Sequence, residues 1–170
     1  MDAPPDYARR IALGGYAIVE GVVSADDVEA LRKAIASLPS SEEVRRRAGV
    51  YGVRNLLEVC VKVRELANSA EIRALVTPVL GSTSFAVRAT FFDKIPAANW
   101  NLGWHQDGVI AVKQRVATRG FRAWSHKAGT LQVQPTEDVL AQMLAIRVHL
   151  DDCPVDNLSL IHISEPTRLE

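Results

Sequence analysis

The chain changes its apolar period near residue 83, and that switch limits what it can fold into. Val28, Leu31, Ile35 and Leu38 are spaced by three and four, which makes one apolar stripe along a helix. Ser24 precedes them as an N-cap, Asp26 and Asp27 fill a first turn where the helix dipole favours acids, and Pro39 stops the run. Ile72, Leu75, Val76 and Val79 form a second stripe behind Ser69, ending at Gly81. From Ser84 to Asp93 the chain is instead aromatic and β-branched and reads as a strand. Leu144 to Leu150 reads as another, with Leu144, Ile146, Val148 and Leu150 on one face and Ala145, Arg147 and His149 on the other. Helices first and separated strands afterwards predict an α+β domain, or a helix-flanked antiparallel β-fold.

The segments between are less regular. Asp6 to Leu13 predicts a short helix ended by Gly14-Gly15, and Tyr16 to Val19 a short strand. Ser41 to Ala48, with Arg45-Arg46-Arg47, is a solvated face or loop, or else a phosphate-binding patch. Val50 to Leu66 follows no single period. Gly120 to Gly129 is a polar, aromatic loop with Trp124 and His126, and Pro135-Thr136-Glu137-Asp138 opens a short helix. In the strand from Ser84, period two groups Arg88, Thr90, Phe92 and Lys94 against Val87, Ala89, Phe91 and Asp93. Two cations and a threonine on one face suit the wall of a polar pocket, or a solvated sheet face.

Charge and composition exclude some functions. Twenty Lys and Arg balance twenty Asp and Glu, so a general nucleic-acid binder is not expected. No run approaches the length of a membrane span, and Met1 to Asp6 lacks the basic start and apolar core of a secretory signal. Cys60 and Cys153 have no CxxC spacing, which fits reduced thiols and a cytoplasmic protein.

His105-Gln106-Asp107 is the chemically informative spacing. In an extended segment, residues i and i+2 point the same way, so imidazole and carboxylate can reach one point. With a distant second histidine they make a two-His-one-carboxylate triad, which holds Fe(II) and leaves positions open for co-substrate and O2. The same pair also occurs as a plain hydrogen-bonded couple. Here it follows a strand and a loop, is flanked by Trp104 and Gly108, and precedes a long polar stretch able to cover a substrate.

Several segments together resemble the phytanoyl-CoA dioxygenase family. Gly15-Tyr16-Ala17-Ile18-Val19-Glu20 before a capped helix is similar to its N-terminal entry. Phe92-Asp93-Lys94-Ile95-Pro96 and Trp104-His105-Gln106-Asp107-Gly108 are similar to its metal-site region. Leu144 to Asn157, with Leu150-Asp151-Asp152 and Asp156-Asn157, is similar to the strand and turn before its second metal motif. The resemblance implies a mainly β fold with flanking helices around a double-stranded β-helix core (jelly-roll, cupin-like), incomplete in this chain. It implies an Fe(II)- and 2-oxoglutarate-dependent dioxygenase that hydroxylates a small organic substrate with O2. His105 and Asp107 match two iron ligands; Arg54, Thr90 and Arg147 fall where the family contacts 2-oxoglutarate, and Lys94 is a further carboxylate contact. Each cation could equally form a surface ion pair. Residues 120–134 would line or cover the substrate.

The match departs after Asn157. The family continues with a second metal histidine and an arginine for the distal carboxylate of 2-oxoglutarate, whereas Leu158 to Arg168 looks like a sequencing-library transposon adapter translated in frame. The expected organisation is therefore a partial domain over 1–157, helical over about 1–82 and jelly-roll over about 83–157, with a non-native tail over 158–170. On this reading the 170-residue chain is inactive. His126 and His149 could be imagined as replacement ligands, but neither matches the family's second metal histidine. A non-catalytic jelly-roll binding module, and a structural domain without metal, are the rival readings.

Overall fold

A computed structural model describes residues 5–46, 50–93, 108–127 and 129–152. Helix α1 (Asp6–Gly14) ends on Gly15, whose φ of 79° is one that an L side chain resists. Helix α2 (Ala25–Ala36) is capped as its sequence predicts: Ser24 Oγ accepts from the Asp27 amide at 3.1 Å. Two short strands follow, β1 (Val44–Arg46) and β2 (Val50–Val53), then helices α3 (Leu56–Val59), α4 (Val61–Ala67) and α5 (Ala70–Leu80). Ser69 Oγ caps α5 by accepting from the Ile72 amide. The stretch from 50 to 66 holds a strand and parts of two helices, which is why no single period describes it.

Strand β3 (Phe91–Phe92) completes an antiparallel sheet of order β1-β2-β3. A second antiparallel sheet has the order β4-β6-β5, from β4 (Ile110–Val112), β5 (Arg122–Lys127) and β6 (Thr130–Gln134). Helix α6 (Glu137–Leu140) follows.

The core lies where α2, β2 and α3 meet. Ile35, Leu38, Val44, Val53, Leu56 and Cys60 are buried together, and Ala89, Phe91 and Leu150 pack against them. Val53 is 1% exposed, so its removal from water is essentially complete, and at roughly 25 cal/mol per Å2 of apolar area such side chains supply most of the local stability. The alternation expected for the strand from Ser84 is visible only in part: Ala89 and Phe91 turn inward and Arg88 and Phe92 are exposed, but Val87 is exposed and Thr90 half-buried.

Several expectations are corrected. The α+β class holds, but among the described residues helix outweighs strand and the sheets are small, so the architecture is mixed rather than mainly β, and the two sheets do not close into a barrel. Tyr16 to Val19 forms no strand and is largely exposed, with no strand paired to it among the described residues. Of Ser84 to Asp93 only Phe91–Phe92 enters a ladder, paired with Val53 and Gly52 of β2. Leu144 to Leu150 is irregular, fixed at its end by Leu150 on the core and by Asp151 paired with Arg32 at 2.7 Å. Arg45 belongs to β1 rather than to a loop, and the polar stretch 120–129 is mostly β5.

Candidate functional site

The end of β2 is the best-defined part of the predicted site. Gly52 pairs with Phe92 and Val53 with Phe91, where the ladder ends, so Arg54 and Thr90 each lie next to the last pair, one on either chain. The strands remain adjacent there, since the Leu56 amide donates to the Ala89 carbonyl at 3.0 Å. The Arg54 amide donates to the Glu43 carbonyl at 2.9 Å, so its backbone also continues the β1 edge. Both side chains are half-buried. A guanidinium and a hydroxyl at these positions can together bind a carboxylate by charge and hydrogen bond.

The other predicted residues do not join them. Arg147 is exposed in the irregular segment after α6, and His149 beside it is exposed as well. His126 lies on β5 opposite Leu131 and is exposed. Among the described residues no three His, Cys, Asp or Glu side chains gather as a metal site. His105, Asp107 and Lys94 lie outside the described residues.

Asp93 stands at the entrance to that segment. Burial pushes its carboxyl above the ordinary aspartate range and the charge of Asp151 pushes the same way, with Arg32 opposing. Its amide donates to the Tyr51 carbonyl at 2.9 Å, which fixes the backbone just before Lys94.

Downstream, β4 and the β5–β6 hairpin form an antiparallel sheet where a loop was expected. The turn from Lys127 to Thr130 contains Gly129 at a φ of 72°. Arg115 stacks over the Trp124 ring at 5.3 Å from its centroid, and Arg122 Nε donates to Gln134 Oε1 at 3.2 Å. The two sheets are tied by the Thr130 hydroxyl, which donates to Asn55 Oδ1 at 3.3 Å. Between them lies a cleft of about 50 Å3 walled by Asn55, Glu58, Arg88, Ala111, Thr130 and Gln132. Arg88 was expected on a polar face and Thr130 and Gln132 fall in the stretch expected to line or cover the substrate, whereas Asn55, Glu58 and Ala111 carried no functional signal in the sequence. The one available cue was the alternation of Thr130, Gln132 and Gln134 with Leu131 and Val133.

Among the described residues, no helix is long and apolar enough to cross a membrane. No curated protein and no solved structure matches the chain. The family model for phytanoyl-CoA dioxygenase matches residues 12–163, which takes in the capped helix α2, Arg54, Thr90 and the Trp104-to-Gly108 segment, and overlaps the first residues of the tail. The members of this family are typically oxygenases, generally dependent on Fe(II) and 2-oxoglutarate. With that match spanning most of its length, the chain belongs to the phytanoyl-CoA dioxygenase family.

Proposed function

We propose that the protein is an Fe(II)- and 2-oxoglutarate-dependent dioxygenase that hydroxylates a small organic molecule, with its reading frame continuing past Asn157. The observation that carries this reading is the Trp104-His105-Gln106-Asp107-Gly108 segment inside the family match. His105 as neutral imidazole and Asp107 as carboxylate would hold the metal, leaving the remaining positions to a second histidine and to exchangeable ligands. Bound iron would supply the activation of O2 that couples decarboxylation of 2-oxoglutarate to substrate hydroxylation. Arg54 and Thr90 are suited to a carboxylate end of the co-substrate, and their places next to the last β2–β3 pair support that assignment. Lys94 and Arg147 are the further cations proposed for it. The sheet of β4, β5 and β6 follows the metal segment directly and would shield the reacting centre from water. The protein works in the cytoplasm on this reading, with no nucleic-acid or membrane partner.

Succinate release tests the proposal. The reading frame continued past Asn157, supplied with Fe(II) and 2-oxoglutarate, is expected to form succinate, and His105→Ala and Asp107→Ala are each expected to abolish it. Succinate formation that survives both substitutions would overturn the assignment. A folded protein that binds small molecules without any Fe(II)-dependent succinate would favour a non-catalytic module.

A further inference from the structure

The cleft between the two sheets holds one buried side-chain amide, that of Gln132, with no hydrogen-bond partner among the described residues. Gln132 sits on the central strand β6, paired with Ala111 on one side and Ser125 on the other, and is only 6% exposed. Thr130, Gln132 and the cross-strand Ala111 share one face of the sheet, and all three line the cleft, so the Gln132 side chain is directed into it. Its amide makes no hydrogen bond among the described residues. A buried amide without a partner is rare, because it forfeits its hydration with nothing in return.

Two opposite charges stand at the same cleft. Arg88 comes from the segment before β3 and Glu58 from α3, and neither forms an ion pair among the described residues. A simple anion would meet the Glu58 carboxylate and a simple cation would meet Arg88. A water needs about 10–15 Å3, so the roughly 50 Å3 cleft admits a head group of a few heavy atoms.

We propose that this cleft binds the zwitterionic end of a small α-amino acid, its carboxylate held by Arg88 and the Gln132 amide and its ammonium by Glu58. Arg88 presents paired N–H donors that match a carboxylate, and the Gln132 NH2 adds a further donor. The Thr130–Asn55 hydrogen bond closes one wall, so the two sheets act together as the receptor. The inference goes beyond the oxygenase reading and needs no metal.

Glycine is the probe, titrated into the 170-residue chain without iron while the side-chain amide signal of Gln132 is followed by NMR and assigned by its loss in Gln132→Leu. A saturable shift is expected with glycine, and none with acetate or with methylammonium at equal concentration. Arg88→Met and Glu58→Gln are each expected to weaken glycine binding at least tenfold; both residues are exposed, so the fold is kept. The proposal fails if glycine gives no saturable shift, if acetate alone gives an equal one, or if both variants bind glycine as the parent chain does.

Discussion

Thr130 and Asn55, 75 residues apart in sequence, meet through one hydrogen bond that joins the two sheets. Asn55 holds a left-handed conformation, with a φ of 52°, at the turn from β2 into α3. At 3.3 Å the bond is long for a hydroxyl donor, so its share of stability belongs near the lower end of the usual range, about 0.5 kcal/mol. Thr130→Val should lower the urea midpoint by that modest amount. A double-mutant cycle with Asn55→Gly, which keeps the backbone at ease, should give a coupling energy of the same order. A coupling near zero would show that the sheets are held by packing alone.

Gly120 is fixed by two constraints at once. Its φ is 82°, and a Cβ built there would stand 2.6 Å from Thr136 Cγ2. Gly120→Ala therefore adds overpacking, roughly 1–3 kcal/mol, to a backbone cost of about 1 kcal/mol. Gly129 has a φ of 72° and nothing near its Cβ position, so Gly129→Ala should cost only the backbone share. Thermal unfolding of both variants, and of Gly120→Ala combined with Thr136→Ser, should recover the steric part in the double variant.

Asp93 makes stability fall as pH rises. Burial, then the repulsion of Asp151, lifts its carboxyl above the ordinary value of about 3.9, so the folded chain holds this proton more tightly than the unfolded chain does. Between the ordinary value and the raised one the folded state binds more protons. The contribution of Asp93 is thus fully present below about pH 4 and is lost as pH climbs through its folded pKa. Asp93→Asn should flatten the slope of the urea midpoint in that window and stabilise the chain at neutral pH. Asp151→Asn should bring the NMR titration of Asp93 back toward the ordinary value, since it removes a repulsion and frees Arg32 from its present partner.

Exposed apolar residues cluster in the chain leading into β3. Phe85 is 79% exposed and Val87 52%, in a segment that makes no ladder before Phe91. Such a surface beside a short edge strand promotes self-association. Phe85→Lys should reduce light scattering at high protein concentration without lowering the thermal midpoint.

What could be read in the sequence follows from how local each signal is. The caps at Ser24 and Ser69 and the stripes behind them depend on residues within a few positions, and α2 and α5 form where those residues stand. The strands depend on partners far along the chain. Tyr16 to Val19 has strand-forming residues and no ladder, while Arg122 to Lys127 looks polar yet becomes β5 because Thr130 to Gln134 folds back on it. That Arg54 and Thr90 both fall next to the end of the β2–β3 ladder could not be read locally, since no local pattern records the β2–β3 register. Gln132 fell within the stretch expected to cover a substrate but was not singled out, because a lone glutamine on an alternating strand looks like any solvated one.

Leu150 reaches back to a core made by Ile35, Val53 and Leu56, and Asp151 clips onto Arg32 of the second helix. The amino-terminal half therefore cannot seal its interior while it emerges from the ribosome. It must wait, partly open, for about a hundred further residues, several seconds at ordinary elongation rates of about 5–20 residues per second. During that interval the nascent chain depends on whatever shelters it, and any pause in translation before residue 150 lengthens its exposure.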